Sequence, residues 1–215
     1  MAVSDEAIKE AIKKARERSH KRNFLESVDM VINIQDMDLA DPKNRFDLEV
    51  RLPHPTSKQA AICVIAEGDL AVRAQRAGVD LLIEREDLEK LASNPKTLKN
   101  IVETHDFFVA TAPLMPQVGR FLGRVLGPRG KMAKPIPPNA DIEPIIARLR
   151  QSTRLRLRKN PTIHVRVGTT DMKDDELNAN IDAVFTNLLE RFEKGVQNIR
   201  SIYIKTTMGK PVKIR

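Results

Sequence analysis

The sequence predicts an α+β protein with an inserted α/β domain, so that one of its two domains is discontinuous in the chain. Segments in which apolar and polar residues alternate lie near both ends, while strongly apolar strands alternate with helices in the middle. Pro53 and Pro55 end the first alternating region. We therefore expect a terminal domain made of residues 1–53 and 153–215, and an inserted domain made of residues 54–152.

The first region is predicted to contain one helix and two strands. The helix covers residues 4–18, with Ser4 as its N-cap and alanines and isoleucines along one face. In FLESVDMVINIQDMDL, apolar residues alternate with polar ones from Val28 onwards, which is typical of a half-buried strand. The segment RFDLEVRLP repeats this alternation.

The middle region is predicted to be a three-layer, Rossmann-like α/β domain. Three strongly apolar segments read as strands: AAICVIA, VDLLIE and DFFVAT. Between them lie a short helix closed by Gly78 and helices near 85–92 and 95–104. This order indicates a parallel sheet with helices on its faces. Cys63, the single cysteine, falls in the first strand and is predicted to be an inert core thiol.

The end of the middle region has no acidic residue between Asp106 and Asp141. We predict a helix near 113–126, an irregular loop at 127–139 and a helix at 141–151. The basic segment LMPQVGRFLGRVLGPRGKMAKP does not have the glycine spacing of a dinucleotide fingerprint or the Ser/Thr of a phosphate loop. Nucleotide hydrolysis is therefore disfavoured, while a solvated basic loop and a contact with a phosphate chain both remain open.

The last region begins with RLRLRK and IHVRVG, which alternate strictly around Asn160 and Pro161 and are predicted to form a basic hairpin. Three arginines then share one face of a strand: Arg154, Arg156 and Arg158. Such a face either protects an edge strand from aggregation or follows a phosphate backbone. A long helix, DDELNANIDAVFTNLLERFEKG, is predicted to end at Gly195, followed by the strands IRSIYIKTT and PVKIR.

The composition favours a polyanionic partner and offers no catalytic site. The chain of 215 residues has a net charge of +8, which suits nucleic acid, but it has no tryptophan and one tyrosine, too few aromatics for stacking many bases. Its four scattered histidines and one cysteine predict no metal site, no catalytic group and no cofactor. We expect a soluble, intracellular protein that is a monomer when free, since the sequence suggests neither a signal peptide nor a membrane span.

The segment VGRFLGRVLGPRGKMAKP closely resembles the signature of the large-subunit ribosomal protein L-one family, and the paired prolines after it resemble the archaeal form. The resemblance covers essentially the whole chain. It implies a cytoplasmic, ribosome-associated protein that binds large-subunit rRNA at the mobile stalk. It also implies a role in the movement and release of exit-site tRNA, and repression of translation through binding to the leader of its own mRNA.

The resemblance also implies which residues bind rRNA, because NFLESVD and SIYIKTTMG match the family's RNA-binding patch. In these segments the residues are Phe24, Ser27, Asp29, Ser201, Thr206, Thr207, Met208 and Gly209. The basic strands add Arg156, Arg158 and His164, and a secondary RNA contact is predicted at Arg120, Arg124, Arg129, Lys131 and Lys134. The alternative from another class is an enzyme that binds a nucleotide with its inserted α/β domain.

Overall fold

The structure is a computed structural model that describes residues 5–20 and 22–214. It divides into two compact units. The terminal unit combines the chain up to Gln59 with the chain from Gln151 onwards, and the inserted unit covers Ala60–Arg150. The strands and helices, which include a parallel sheet, confirm the predicted mixed α/β class.

The elements follow the order expected from the sequence, with a few differences described below. The helices are α1 (Asp5–Glu17), α2 (Asp69–Arg76), α3 (Arg85–Ser93), α4 (Pro95–Thr104), α5 (Met115–Phe121), α6 (Gly123–Arg129), α7 (Ile142–Arg150) and α8 (Asp174–Leu189). The strands are β1 (Ser27–Ile34), β2 (Phe46–Arg51), β3 (Ile62–Ile65), β4 (Leu81–Ile83), β5 (Phe107–Thr111), β6 (Lys134–Ile136), β7 (Ser152–Leu157), β8 (Thr162–Thr169), β9 (Ile199–Thr206) and β10 (Val212–Lys213). The predicted cap Ser4 lies outside the described residues.

The main sheet of the terminal unit consists of four antiparallel strands in the order β10–β9–β1–β8. Residues of β1 alternate between buried and partly exposed, as its sequence pattern predicts. The buried side chains share one core with Ile12 of α1 and Leu177 of α8. Helices therefore cover one face of the sheet. The opposite face, on which Asp29, Val31 and Asn33 lie, is called the open face below.

The predicted basic hairpin is wrong. β7 pairs with β2 in a separate two-stranded sheet, the ribbon, while β8 pairs with β1. In the ribbon, Asp47 lies opposite Arg156 and Glu49 lies opposite Arg154. Arg154 also forms an ion pair with Asp47. Opposite charges on facing strands attract, and like charges repel. Strand β7 therefore pairs more favourably with β2, which carries acids, than with β8, which carries Arg166.

The inserted unit is built on a parallel sheet with the strand order β4–β3–β5–β6. All residues of β3 and β5 are buried, because helices cover both faces. Helices α2 and α7 pack on the side of Ile62 and Val64, and α3 to α6 pack on the side of Cys63 and Ile65. Burial raises the pKa of the Cys63 thiol to about 12, which fits an inert core residue.

The single helix predicted near 113–126 is in fact two short helices. A 3-10 turn precedes α5, and α5 and α6 meet at Leu122. Gly119 and Gly123 flank this junction, and glycine weakens a helix because its backbone loses the most freedom on ordering.

The loop predicted at 127–139 is also more regular than expected. Helix α6 continues to Arg129 and ends at Gly130, whose φ of 69° lies in the left-handed region that favours glycine. Strand β6 then adds to the edge of the sheet beside β5, and its Ile136 is buried. Pro135 is tolerated because an edge strand can leave one side of its backbone unpaired.

The long helix near the C-terminus is shorter than predicted, since α8 ends at Leu189 and Gly195 belongs to a following 3-10 turn. Tight turns after Leu189 carry Phe192 into the core, where its ring centroid lies 6.2 Å from that of Phe46. Burying an aromatic ring stabilises the fold more than extending a helix by one polar turn.

Gly168 of β8 lies directly against α8, and we expect its replacement to destabilise the terminal unit. A Cβ atom at Gly168 would lie 2.3 Å from Cδ2 of Leu177 and 2.9 Å from Sδ of Met172. Gly168→Ala should therefore lower the free energy of unfolding by about 1–3 kcal/mol, because the buried side chains of Leu177 and Met172 must shift to make room.

Urea denaturation followed by circular dichroism measures this change. Gly127→Ala is the control, because nothing lies within 4 Å of the Cβ position at Gly127. Equal midpoints for the wild-type protein and Gly168→Ala would contradict the prediction.

Candidate nucleic-acid interface

A tight turn after β9 is fixed to the start of β1. The backbone N–H of Thr207 donates to the carbonyl of Ser27 at 3.0 Å. The Thr207 hydroxyl in turn accepts from the Ser27 N–H at 3.0 Å. A single side chain thus extends the ladder between the two strands by one position, and the chain after Thr206 is held rigidly beside the first residue of β1.

Gly209 ends this turn at a point where a larger residue does not fit. Its N–H donates to the carbonyl of Thr206 at 3.2 Å and to the Thr206 hydroxyl at 3.0 Å. A Cβ atom at Gly209 would lie 2.3 Å from that hydroxyl oxygen. The close approach of backbone to the buried Thr206 side chain therefore requires glycine here.

Glu26, which is not among the residues predicted from the sequence, organises the same turn from beneath. Its buried carboxylate accepts from the backbone N–H of Met208 and from the hydroxyl of Ser19, each at 3.0 Å. The hydrogen bond from Met208 is the largest cause that lowers the pKa of Glu26, and Thr206, Ser19 and the charge of Arg22 lower it further against the cost of burial. Glu26 is thus an ionised anchor that joins the chain after α1, the start of β1 and the turn.

Two large apolar side chains are exposed around this anchor. Phe24 is 54% exposed and Met208 is 59% exposed, and Leu25 beside them is 47% exposed. Phe24 precedes β1 and Met208 follows the antiparallel β9, so both lie at the same end of the sheet. Apolar side chains held on a rigid polar base are typical of an interaction site. We call this site the edge cluster, made of Phe24, Glu26, Ser27, Thr206, Thr207, Met208 and Gly209.

The open face continues from the edge cluster along three neighbouring strands, as the register shows. Each exposed residue of β1 lies between one residue of β8 and one of β9. Asp29 lies between Arg166 and Lys205, Val31 between His164 and Tyr203, and Asn33 between Thr162 and Ser201. The face therefore offers cations nearest the edge cluster, two rings in its middle, and amide and hydroxyl groups farthest away.

Asp29 is the acid among the cations of this face. Burial raises its pKa, although the nearby charges of Lys205, Arg166 and His164 pull the pKa in the opposite direction. A partly buried carboxylate between two cations is suited to accept hydrogen bonds from a neutral donor, such as a ribose 2′-hydroxyl. Lys205, Arg166 and Tyr203 were missed from the sequence because only the register brings them beside Asp29 and Val31.

Ser201, like Thr206, is a predicted residue that the fold does not expose. It is buried, and its hydroxyl accepts from the side-chain amide of Asn33 at 2.8 Å. Thr162 donates to the other end of the same amide at 3.2 Å. These bonds tie three strands together, so Ser201 supports the open face more than it displays a group on it.

Arg156 and Arg158 lie apart from the edge cluster. Both belong to the ribbon or its end, and Arg156 faces Asp47 across the two strands. The N–H of Ile34, at the far end of β1, donates to the carbonyl of Pro161 in the loop that follows β7. Since the 8 residues of β1 span about 25 Å, Arg158 lies towards the opposite end of the sheet from Thr207.

The cations of the inserted unit divide into two groups. Lys131 donates to the carbonyls of Val102 and His105 at 2.8 and 2.7 Å, so it caps the end of α4. Arg129 bonds to Glu103 at 2.7 Å and also reaches a carbonyl of α4. These two residues hold the helix in place.

The other three cations of the predicted secondary contact are exposed. Arg120 lies over the ring of Phe121, with its guanidinium carbon 5.6 Å from the ring centroid. Arg124 and Lys134 also face solvent. The segment that looked uniformly basic therefore combines structural cations with surface cations.

Among residues 5–20 and 22–214, no group of three or more His, Cys, Asp or Glu side chains is placed to hold a metal ion. None of the helices in the described part of the chain is long and apolar enough to cross a membrane.

We expect Glu26→Ala to loosen the edge cluster, because the N–H of Met208 and the hydroxyl of Ser19 lose their acceptor. The cost should be about 1–3 kcal/mol of stability, with faster hydrogen exchange at the amide of Met208. Because folding lowers the pKa of Glu26, its stabilising effect is present above the ordinary glutamate pKa and is lost as the pH falls through the lowered value.

The stability difference between wild type and Glu26→Gln should accordingly shrink in acid. Glu89→Ala serves as the control, since Glu89 is an exposed acid of α3. Unchanged exchange at Met208 in Glu26→Ala would contradict the anchoring role.

Comparison with known proteins identifies the family of the chain. Residues 10–210 match the model of the ribosomal protein L1p/L10e family. Relatives named large ribosomal subunit protein uL1 include that of Methanothermobacter thermautotrophicus, 47% identical over 96% of this chain and 98% of the relative. The protein of that name from Thermococcus kodakarensis is 44% identical over 100% of this chain and 99% of its own length. The protein from Methanopyrus kandleri is 47% identical over 97% of both chains. The chain belongs to the ribosomal protein L1p/L10e family, in its archaeal form.

Proposed function

We propose that this chain is a structural, non-enzymatic protein of the large ribosomal subunit whose terminal unit binds folded large-subunit rRNA at the mobile stalk. The observation that carries the proposal is the edge cluster, a rigid turn with two exposed apolar side chains beside a face that bears cations. The names of the relatives place them in the large subunit, and the same role for this chain makes it ribosome-associated in the cytoplasm.

Recognition by the edge cluster depends on shape. The side chains of Thr207 and Glu26 already accept hydrogen bonds from the protein backbone, so they hold the turn in one conformation before RNA binds. A surface that is already ordered loses little entropy on binding, which favours affinity for one matching RNA shape. Phe24 and Met208 then supply flat apolar contacts to sugars and bases in a wide, shallow RNA groove.

The open face adds attraction and discrimination. Lys205 and Arg166 neutralise phosphates, which contributes a salt-dependent and sequence-independent part of the affinity. Asp29 between them accepts hydrogen bonds from a ribose 2′-hydroxyl or a base amino group. A phosphate alone meets repulsion from Asp29, so the face favours an RNA that presents both groups.

The same surface is proposed to serve other RNAs. We propose that the leader of the chain's own mRNA copies the shape of the rRNA site and binds at the edge cluster. Binding of the protein to this leader represses translation of that mRNA. Exit-site tRNA is a further proposed partner, and Arg120 and Lys134 of the inserted unit are suited to a secondary RNA contact because they are exposed.

A nucleotide-dependent enzyme is the weaker alternative. In parallel α/β sheets, phosphates bind at the carboxyl ends of the strands, where a helix N-terminus attracts negative charge. In the inserted unit the turn from β3 into α2 carries Glu67, whose charge repels a phosphate.

Met208→Asp is expected to weaken binding of the stalk fragment of large-subunit rRNA by about tenfold or more, because it places a negative charge at the centre of the contact. Filter binding across a salt series measures this, with a scrambled RNA of equal length for comparison. Met132→Asp is the matched control, since Met132 is an exposed methionine of the inserted unit. Equal affinities for Met208→Asp and Met132→Asp would refute the proposed site.

Lys205→Ala is expected to act differently. It should weaken binding to the stalk fragment and to the scrambled RNA alike, and should reduce the slope of log affinity against log salt by about one. Lys90→Ala, on the exposed surface of α3, is the control. A loss confined to the stalk fragment would mean that Lys205 reads a base or a fold and does not contact a phosphate.

A further inference from the structure

A groove in the inserted unit lies away from the sheet, between α4 and the pair α5–α6. Its volume is about 610 Å³. The floor is apolar and consists of Leu98 from α4 together with Phe121 and Val125 from the facing helices. Pro95 and Pro128 form its sides. The edge cluster and the open face are in the other unit, so this groove lies outside the proposed rRNA site.

The rim of the groove carries one sign of charge. Lys99, Arg124 and Arg129 line it, and within the described part of the chain no acidic side chain does so. Arg129 already pairs with Glu103 at 2.7 Å, so the exposed Lys99 and Arg124 supply most of the positive charge that an occupant meets. An occupant must therefore combine apolar groups for the floor with negative charge at its edges.

A small molecule fits this pattern poorly. Small-molecule sites use a few buried polar groups to fix the orientation of the ligand. Here the polar groups are long side chains at the rim, and Lys99 and Arg124 are exposed. The groove has the composition of a protein contact more than that of a ligand pocket.

Single-stranded RNA also fits poorly. Binding of bases needs flat aromatic surfaces on which they stack. Phe121 is the aromatic residue of the groove, and the guanidinium of Arg120 already lies over its ring. The rest of the apolar lining consists of aliphatic residues and proline, which suits Leu, Ile or Met side chains.

We propose that this groove docks an acidic amphipathic helix from a protein partner. An amphipathic helix places apolar side chains at i, i+3, i+4 and i+7 into a groove between helices, with charged residues along both flanks. Carboxylates on those flanks meet the exposed Lys99 and Arg124. Because the rim is basic, it favours a helix with acidic flanks over an amphipathic helix whose flanks are neutral or basic.

The test uses the full-length protein and three synthetic fluorescein-labelled peptides of about 14 residues, roughly four helical turns. The first has leucines at the four anchor positions and glutamates on the flanks. The second replaces the leucines with serines, and the third replaces the glutamates with lysines. Fluorescence anisotropy is expected to show saturable binding of the first peptide, at least about tenfold tighter than the other two.

Two variants link that binding to the groove. Arg124→Glu changes an exposed rim residue, and Val125→Asp places a charge on the floor. Each variant should weaken the binding of the first peptide by about tenfold. The matched controls Arg85→Glu and Val72→Asp, at exposed sites outside the groove, should leave that binding unchanged. Binding of the rRNA stalk fragment should be unchanged in Val125→Asp, which also checks that this variant folds.

Other outcomes overturn the proposal. Failure of the first peptide to bind, or equal binding of all three peptides, would show that the groove does not recognise apolar anchors and acidic flanks. Equal losses in Arg124→Glu and Arg85→Glu place the effect outside the groove. A single-stranded RNA oligonucleotide could also displace the peptide. If its binding depends on Arg124 but not on Val125, the rim is an RNA contact and the groove has no protein partner.

Discussion

The terminal unit depends on the pairing of β1, which uses both of its edges to bind strands from the far end of the chain. This pairing brings together the two chain segments that form the edge cluster, because β1 starts where β9 ends. The register also decides which side chains meet on the open face. A shift by one residue would exchange the buried and exposed sides of β1, so the apolar alternation that builds the core also fixes the proposed RNA-binding surface.

Glu26 shows how a charge can order a surface without belonging to its contacts. A buried carboxylate is costly unless hydrogen bonds satisfy it, and Met208 and Ser19 provide such bonds. The result is a turn whose apolar side chain points outward although it has little apolar support. Asp29 has a different environment. Burial raises the pKa of Asp29, whereas hydrogen bonds, above all the one from Met208, lower the pKa of Glu26. Two acids a few residues apart thus have opposite electrostatic settings, one as an anchor and one in the open face.

Local patterns in the sequence predicted most elements, and errors arose where partners from elsewhere in the chain decide the structure. Alternation identified β1 and the strands of the ribbon, but it could not say that Asp47 and Glu49 would draw β7 away from β8. The position of Phe192, which ends α8 early, depends on its contact with Phe46. For the site, resemblance supplied the edge cluster, and Glu26 was missed because nothing local shows that its carboxylate points beneath the turn. Lys131 looked like a surface cation until the structure placed it on the end of α4.

The split terminal unit also sets an order of events during protein synthesis. The inserted unit is continuous in the chain and can fold as soon as it leaves the ribosome, but β1 must wait for β8 and then β9. About 170 residues separate β1 from β9, which at about 5–20 residues per second corresponds to roughly 10–30 s. During that time the apolar side of β1 lacks its partners. The edge cluster therefore forms only after β9 and the turn that follows it have been synthesised, so the proposed RNA site is assembled later than the inserted unit.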